Sequence, residues 1–160
     1  MISETRIRTA IVGVIRSADA AAKVYPRFRY PAQARLKEFA DLFRDDTGKI
    51  NAYMIRRIRR TPEIRGIPGR LIKVTHAYKI RFYAHLIDSD DPLVASEEIA
   101  QLKIETLSAL FESDVTLGFG PSVSHEGLVM EMDFADVVLG DTAVHRNDLG
   151  ITVTTANVEC

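Results

Sequence analysis

Near the start of the chain apolar side chains recur every three to four positions: Ile7, Ala10, Ile11, Val14, Ile15, Ala18, Ala21 and Ala22. That period predicts a helix. Ser3 stands where an N-cap belongs, and Glu4 falls in the first turn, where the helix dipole favours a carboxylate. Pro26 and Pro31 end the pattern, with Arg27-Phe28-Arg29-Tyr30 extended between them. Leu36, Phe39, Ala40 and Phe43 predict a short second helix, and Asp45-Asp46-Thr47-Gly48-Lys49 a turn.

The period then changes. Ile50, Ala52 and Met54 alternate with Asn51 and Tyr53, as in a strand, until Ile55 and Ile58 break the alternation and predict a bulge or a twist near Ile55. Residues 61–69 hold Pro62, Gly66, Pro68 and Gly69, which predicts a long hairpin tip outside any ladder. The return strand, 71–86, alternates cleanly. Val74, His76, Tyr78, Ile80, Phe82, Ala84 and Leu86 share one face; Thr75, Ala77, Lys79, Arg81, Tyr83 and His85 share the other.

Asp91-Pro92 opens a second long helix, with Pro at its first position. It is expected to run to Glu112, with Ile99, Leu102, Ile104, Leu107, Leu110 and Phe111 on its apolar face. Gly118-Phe119-Gly120-Pro121 breaks the chain. Strands at 128–139 and 143–157 follow, joined at Gly140-Asp141. The expected fold is α+β in the order α-β-β-α-β-β: one domain over 1–160, a single antiparallel sheet, two long helices packed on one face, and a projecting β-hairpin arm at residues 55–70. The other face is polar enough for solvent or a neighbouring subunit.

Composition supports a folded chain. Apolar residues make up 46% and charged residues 27%, the balance of a globular protein with a sizeable core. No apolar run approaches the roughly 18–20 residues of a membrane span. Residues 1–6 lack a signal-peptide pattern, and the only cysteine, Cys160, leaves no intrachain disulfide, so the reducing cytoplasm is the expected site of synthesis.

Charge is segregated. Arg56, Arg57, Arg59, Arg60, Arg65, Arg70, Lys73, Lys79 and Arg81 face Glu63 alone across residues 50–85. Across 86–141, Asp88, Asp90, Asp91, Glu97, Glu98, Glu105, Glu112, Asp114, Glu126, Glu131, Asp133, Asp136 and Asp141 face only Lys103. This predicts one basic and one acidic side.

Catalytic patterns are thin. His76, His85, His125 and His145 show no zinc-ligand spacing. His76 reads as a hydrogen-bonded core histidine, and His85 as part of a solvated or interface face. Ser122-Val123-Ser124-His125-Glu126 lacks the Gly-x-Ser-x-Gly elbow, and neighbours in an extended chain point to opposite sides. Gly118-Phe119-Gly120 lacks the strand-loop-helix setting of a phosphate loop. Asp88, Asp90 and Asp91 fit no calcium loop, and the helix dipole accounts for the acids around residue 92. The expectation is a non-enzyme without cofactor or metal.

The arm remains. Arg56-Arg57-Ile58-Arg59-Arg60 places guanidinium groups on both faces of an extended segment, which therefore reaches out from the sheet. Three outcomes compete: solvation, pairing with an acidic neighbour, and contact with DNA phosphates. Interleaved isoleucines favour a protein contact, since exposed apolar side chains mark interfaces. The expected contact set is Arg56, Arg57, Ile58, Arg59, Arg60, Ile64, Arg65, Ile67 and Arg70. The expected acidic counter-surface is Asp88, Asp90, Asp91, Glu97, Glu98 and Glu105.

In its architecture the chain resembles the tail terminator proteins of long-tailed bacteriophages. The resemblance rests on the first helix ending in Val24-Tyr25-Pro26, the strand around Thr75-His76-Ala77-Tyr78-Lys79-Ile80, the long helix after it, and the closing strands around Leu139-Gly140-Asp141 and Leu149-Gly150-Ile151. It implies a hexameric ring at the tail–neck junction of the virion, assembled in the host cytoplasm. Such a ring sits on the tail tube protein, stops tube growth, meets head connector or neck proteins, and lets DNA pass without sequence-specific binding. A sheath protein would be a further neighbour in a contractile tail. The resemblance implies no catalytic residue. Other readings are another neck component (a head-completion or connector protein), a nucleic-acid-binding module using the arm, and a small hydrolase.

Overall fold

Ser3 starts the first helix as its side chain predicts: its Oγ accepts the Arg6 N–H at 3.4 Å. Helix α1, Glu4–Ala18, buries Ile7, Ile11, Val12 and Ile15 and closes where the Asp19 N–H reaches the Ile15 carbonyl. Burying each of the three isoleucines contributes about 1.5–3 kcal/mol, far more than helix propensity supplies.

The computed structural model of the protein describes residues 2–30, 36–66, 70–86 and 92–159. After α1 come β1 (Lys23–Tyr25), α2 (Leu36–Asp41), β2 (Asn51–Arg65), β3 (Arg70–His85), α3 (Pro92–Ser113), β4 (Val123–Leu139) and β5 (Thr142–Glu159). One five-stranded sheet has the order β1-β2-β3-β5-β4. The fold is α+β, as expected, but the sheet is mixed: β1 runs parallel to β2, pairing Lys23–Tyr25 with Ala52–Met54. A three-residue strand shows no alternation to read, and its pairing is fixed by tertiary contact.

Residues opposite one another in a ladder share a face, so register assigns the layers. On one face lie Tyr53, Ile55, Tyr78, Ile80, Phe82, Leu149, Ile151 and Val153, packed against α1 and against Ala100, Ile104, Leu107 and Phe111 of α3. Tyr53 and Phe82 stack with ring centroids 4.4 Å apart at the centre of this core. Both long helices thus cover one face, as the sequence predicts, with α1 against the β1 side and α3 against the β4 side. The opposite face is less bare than expected. Phe39, Ala40 and Phe43 close over Ile50, Ala52, Met54, Tyr83, Leu139 and Val144 at one end of the sheet.

Two further expectations need correction. Helix α3 is rotated from the apolar face read from its sequence: Ala100, Ile104, Leu107 and Phe111 are buried, while Ile99 is 55% and Leu102 63% exposed. Positions 100, 104, 107 and 111 hold the i, i+4, i+7, i+11 stripe, and the small Ala100 lets the helix approach the sheet. The arm is also no lone hairpin. Thr61, Pro62, Glu63, Ile64 and Arg65 all stay in the ladder, opposite Thr75 to Leu71, instead of forming a tip. Strand β3 is flanked by β5 along its whole length, from His85↔Val144 out to Arg70↔Glu159. The arm is therefore the outer part of the sheet, with β2 at its margin: four-stranded as far as Pro62, Val74, Thr155 and Val123, and three-stranded beyond. Pro62 is accommodated because an edge strand has no ladder on its outer side.

Candidate interaction surface on the basic edge

The edge begins where β1 stops. Beyond Met54, strand β2 has β3 on one side and, among the described residues, no strand on the other. Arg56 and Arg59 lie opposite Lys79 and Ala77 on the open face; Arg57 and Arg60 lie opposite Tyr78 and His76 on the helix-covered face. The bulge expected near Ile55 falls between Arg57 and Arg59, leaving Ile58 without a register partner. Arg56, Arg57, Ile58, Arg59 and Arg60 are all exposed, and Ile58 and Ile64 keep 53% and 56% of their surface in water.

Few groups answer these charges. Arg56 Nη1 donates to the Tyr30 hydroxyl at 3.1 Å, and Arg65 pairs with Glu63. Among the described residues no carboxylate forms an ion pair with Arg56, Arg57, Arg59 or Arg60. Their field is felt inside: His76, 5% exposed, is held below the usual histidine range by burial first and then by the Arg57 and Arg60 charges. Its Nδ1 finds no partner among the described residues, so it is a core histidine without the hydrogen bond expected at that nitrogen.

The inner end of the basic segment is neutralised. Arg81 makes a two-point bridge to Asp148, at 2.7 and 2.8 Å, and Lys79 Nζ stands 3.9 Å from the same carboxylate. Arg81 and Lys79 therefore do not belong to the free basic surface.

The expected acidic counter-surface divides. Glu97, Glu98 and Glu105 are exposed on α3. Asp88, Asp90 and Asp91 lie outside the described residues, as does Ile67 of the arm; Arg70 opens β3. The N-terminal half of α3 stands over the inner end of the sheet, beside Ile50, Asn51 and His85, while the arginines line the β2 margin further out, beyond Met54. They do not meet within a single copy. Sequence reasoning missed the exposed Ile99 and Leu102 beside these glutamates, because it counted both as core.

The histidines resolve into structural roles. His125 accepts the Gly127 N–H on Nδ1 at 3.0 Å, has Nε2 3.1 Å from the Asp114 carbonyl, and stands edge-on to Phe111. It is buried, while Ser122, Ser124 and Glu126 are exposed, so the suspected Ser-His-Glu run does not converge. His85 is half-buried rather than solvated, and the Ile50 N–H approaches its Nδ1 at 3.5 Å. His145 has Nε2 3.0 Å from Ser96 Oγ and Nδ1 2.7 Å from Asp136 Oδ1, the connectivity of a nucleophilic triad. The exposure is inverted: Ser96 is only 4% exposed, whereas the Asp136 side chain is 62% exposed. A substrate carbonyl would need access to the serine, so this arrangement ties α3 to β5. Among the described residues no cluster of His, Cys, Asp or Glu is placed to hold a metal, and no helix is long and apolar enough to cross a membrane.

No protein-family model matches this chain, and no curated protein matches it.

Proposed function

We propose that this protein is a structural virion subunit that forms a ring on the end of a phage tail tube, ends tube growth and joins the tail to the head connector. The observation that carries the reading is the open β2 margin, where four guanidinium groups that form no ion pair with a carboxylate among the described residues stand with two exposed isoleucines, while exposed glutamates line a separate surface on α3. A closed cyclic ring needs two different complementary patches on every subunit. Arg56, Arg57, Ile58, Arg59, Arg60, Ile64 and Arg65 form one such patch, and Glu97, Glu98 and Glu105 form the centre of the other. The tail tube protein, a neck or connector protein and, in a contractile tail, a sheath protein are the neighbours this role supplies, with DNA passing through the lumen. The protein acts without catalysis or cofactor. Another neck component would share the ring habit and differ in its position in the particle.

The free edge also favours a second reading, a nucleic-acid-binding module, because arginines that have no carboxylate partner among the described residues suit phosphates. That reading predicts duplex affinity falling steeply with salt. Light scattering on the purified protein, alone and with its tail tube protein, tests the ring. The expected result is a discrete closed oligomer, and a strictly monomeric protein in both conditions would sink the reading.

A further inference from the structure

A β-bulge re-aims one side chain, and here that side chain is Ile58. It has no partner in the β2–β3 register, it is 53% exposed, and Arg57 and Arg59 flank it. The arginines, the bulge and Pro62 are also features that keep an edge strand from pairing with a copy of itself. A partner for this margin must therefore answer positive charge with negative charge, and must cover an isoleucine through side-chain contact more than through strand addition.

Helix α3 carries such a surface. Ile99 and Leu102 stand one turn apart, 55% and 63% exposed, with Glu98 and Glu105 exposed beside them. Two apolar side chains left in water on a helix that already buries a full stripe against the sheet mark a second contact. Ile99 stands beside Lys49, Ile50, Asn51 and His85 at the inner end of the sheet, whereas Ile58 lies further out along β2, roughly 23 Å from Asn51 at about 3.3 Å per residue, so the two meet only between copies. We propose that Ile58 of one copy seats on the Ile99–Leu102 pair of the next, with Arg57 and Arg59 facing Glu98 and Glu105. The inference rests on the ring reading and names the surfaces that close it. Each copy offers two different patches, so the contact is head-to-tail and repeats around the ring. The opposed charges reject the two like pairings, arm on arm and helix on helix.

Single-cysteine variants Ile58→Cys and Leu102→Cys, each in a Cys160→Ser background, test it with a short bismaleimide. Mixing the two is expected to give a covalent dimer that neither gives alone, and the doubly substituted chain a ladder extending past the dimer. Dimers from Ile58→Cys alone would overturn the proposal by showing arm-on-arm contact. A ring seen by light scattering without the mixed cross-link would overturn the seat and leave the ring reading standing. Monomers under every condition would overturn both. A charge exchange checks the same contact without cysteine. Arg57→Glu with Arg59→Glu, and separately Glu98→Arg with Glu105→Arg, should each weaken association at least roughly tenfold. Combining all four should restore it, and a failure to restore would contradict the pairing.

Discussion

Arg81 and Asp148 face one another across the β3–β5 ladder and join through two hydrogen bonds of 2.7 and 2.8 Å, with the Asp148 side chain only 3% exposed. Burial alone would push the Asp148 carboxyl up. The hydrogen bonds and charge of Arg81, with Lys79 and Arg146 behind it, outweigh that and hold it below the usual carboxylate range. Removing one partner leaves a buried charge unanswered. Asp148→Asn is therefore expected to cost about 3 kcal/mol, read from denaturant unfolding, with smaller losses for exposed substitutions elsewhere on the sheet.

His76 makes stability depend on pH in a definite direction. Burial, Arg57 and Arg60 lower its folded-state pKa below the ordinary 6.5. Above that value it is neutral in folded and unfolded chains alike. As the pH falls below it, the unfolded chain takes up the proton first, so stability is lost until the folded pKa is reached. His85 adds a change of the same sign, lowered by burial and by Arg44 and Lys49. Unfolding midpoints at about pH 8 and about pH 5 should differ less in His76→Phe than in the native chain. An unchanged difference would remove His76 from the account.

Replacing Arg56, Arg57, Arg59 and Arg60 together by Ala is expected to abolish assembly while leaving the fold intact. All four are exposed and none pairs with a carboxylate among the described residues. At no more than about 0.5 kcal/mol for each exposed substitution, the four together should move the melting temperature by no more than about 4–8 °C. The same protein before substitution should show no retention on duplex DNA that scales with the arginines at low salt. If the four replacements leave the oligomer untouched, the edge is merely solvated.

Ser96 should resist a fluorophosphonate reagent. Its hydroxyl is 3.0 Å from His145 but buried, and the exposed member of the trio is Asp136. His145→Ala is expected to lower stability by about 1–3 kcal/mol, through the partners it leaves unsatisfied. Labelling at Ser96 would contradict the structural role.

Much of this was legible in the chain. Ser3, Glu4 and the spacing of Ile7, Ile11 and Ile15 mark α1 without help from the fold. Val74, Tyr78, Ile80 and Phe82 mark the inward face of β3, where all four are buried. Other features depended on contacts that no local pattern carries. Strand β1 exists because Val24 meets Tyr53, not because three residues alternate. Helix α3 offers two apolar stripes, and only the presence of the sheet decides that Ala100 turns inward and Ile99 outward. Pro62 looked like the end of a ladder because proline removes a donor. An edge strand tolerates it, because the side of the strand turned to the open has no ladder to break. For the candidate surface, the arginines could be read from composition, but the bulge that turns Ile58 outward is a matter of register, which appears once β2 and β3 are paired.

The central claim is that the protein ends tail-tube growth as a ring. Electron micrographs of tubes grown from the tail tube protein with and without this protein measure it directly. The account predicts that its addition caps tube ends with a ring of density and holds tube length down in proportion to the amount added. Tubes of unchanged length, with no density at their ends, would contradict it.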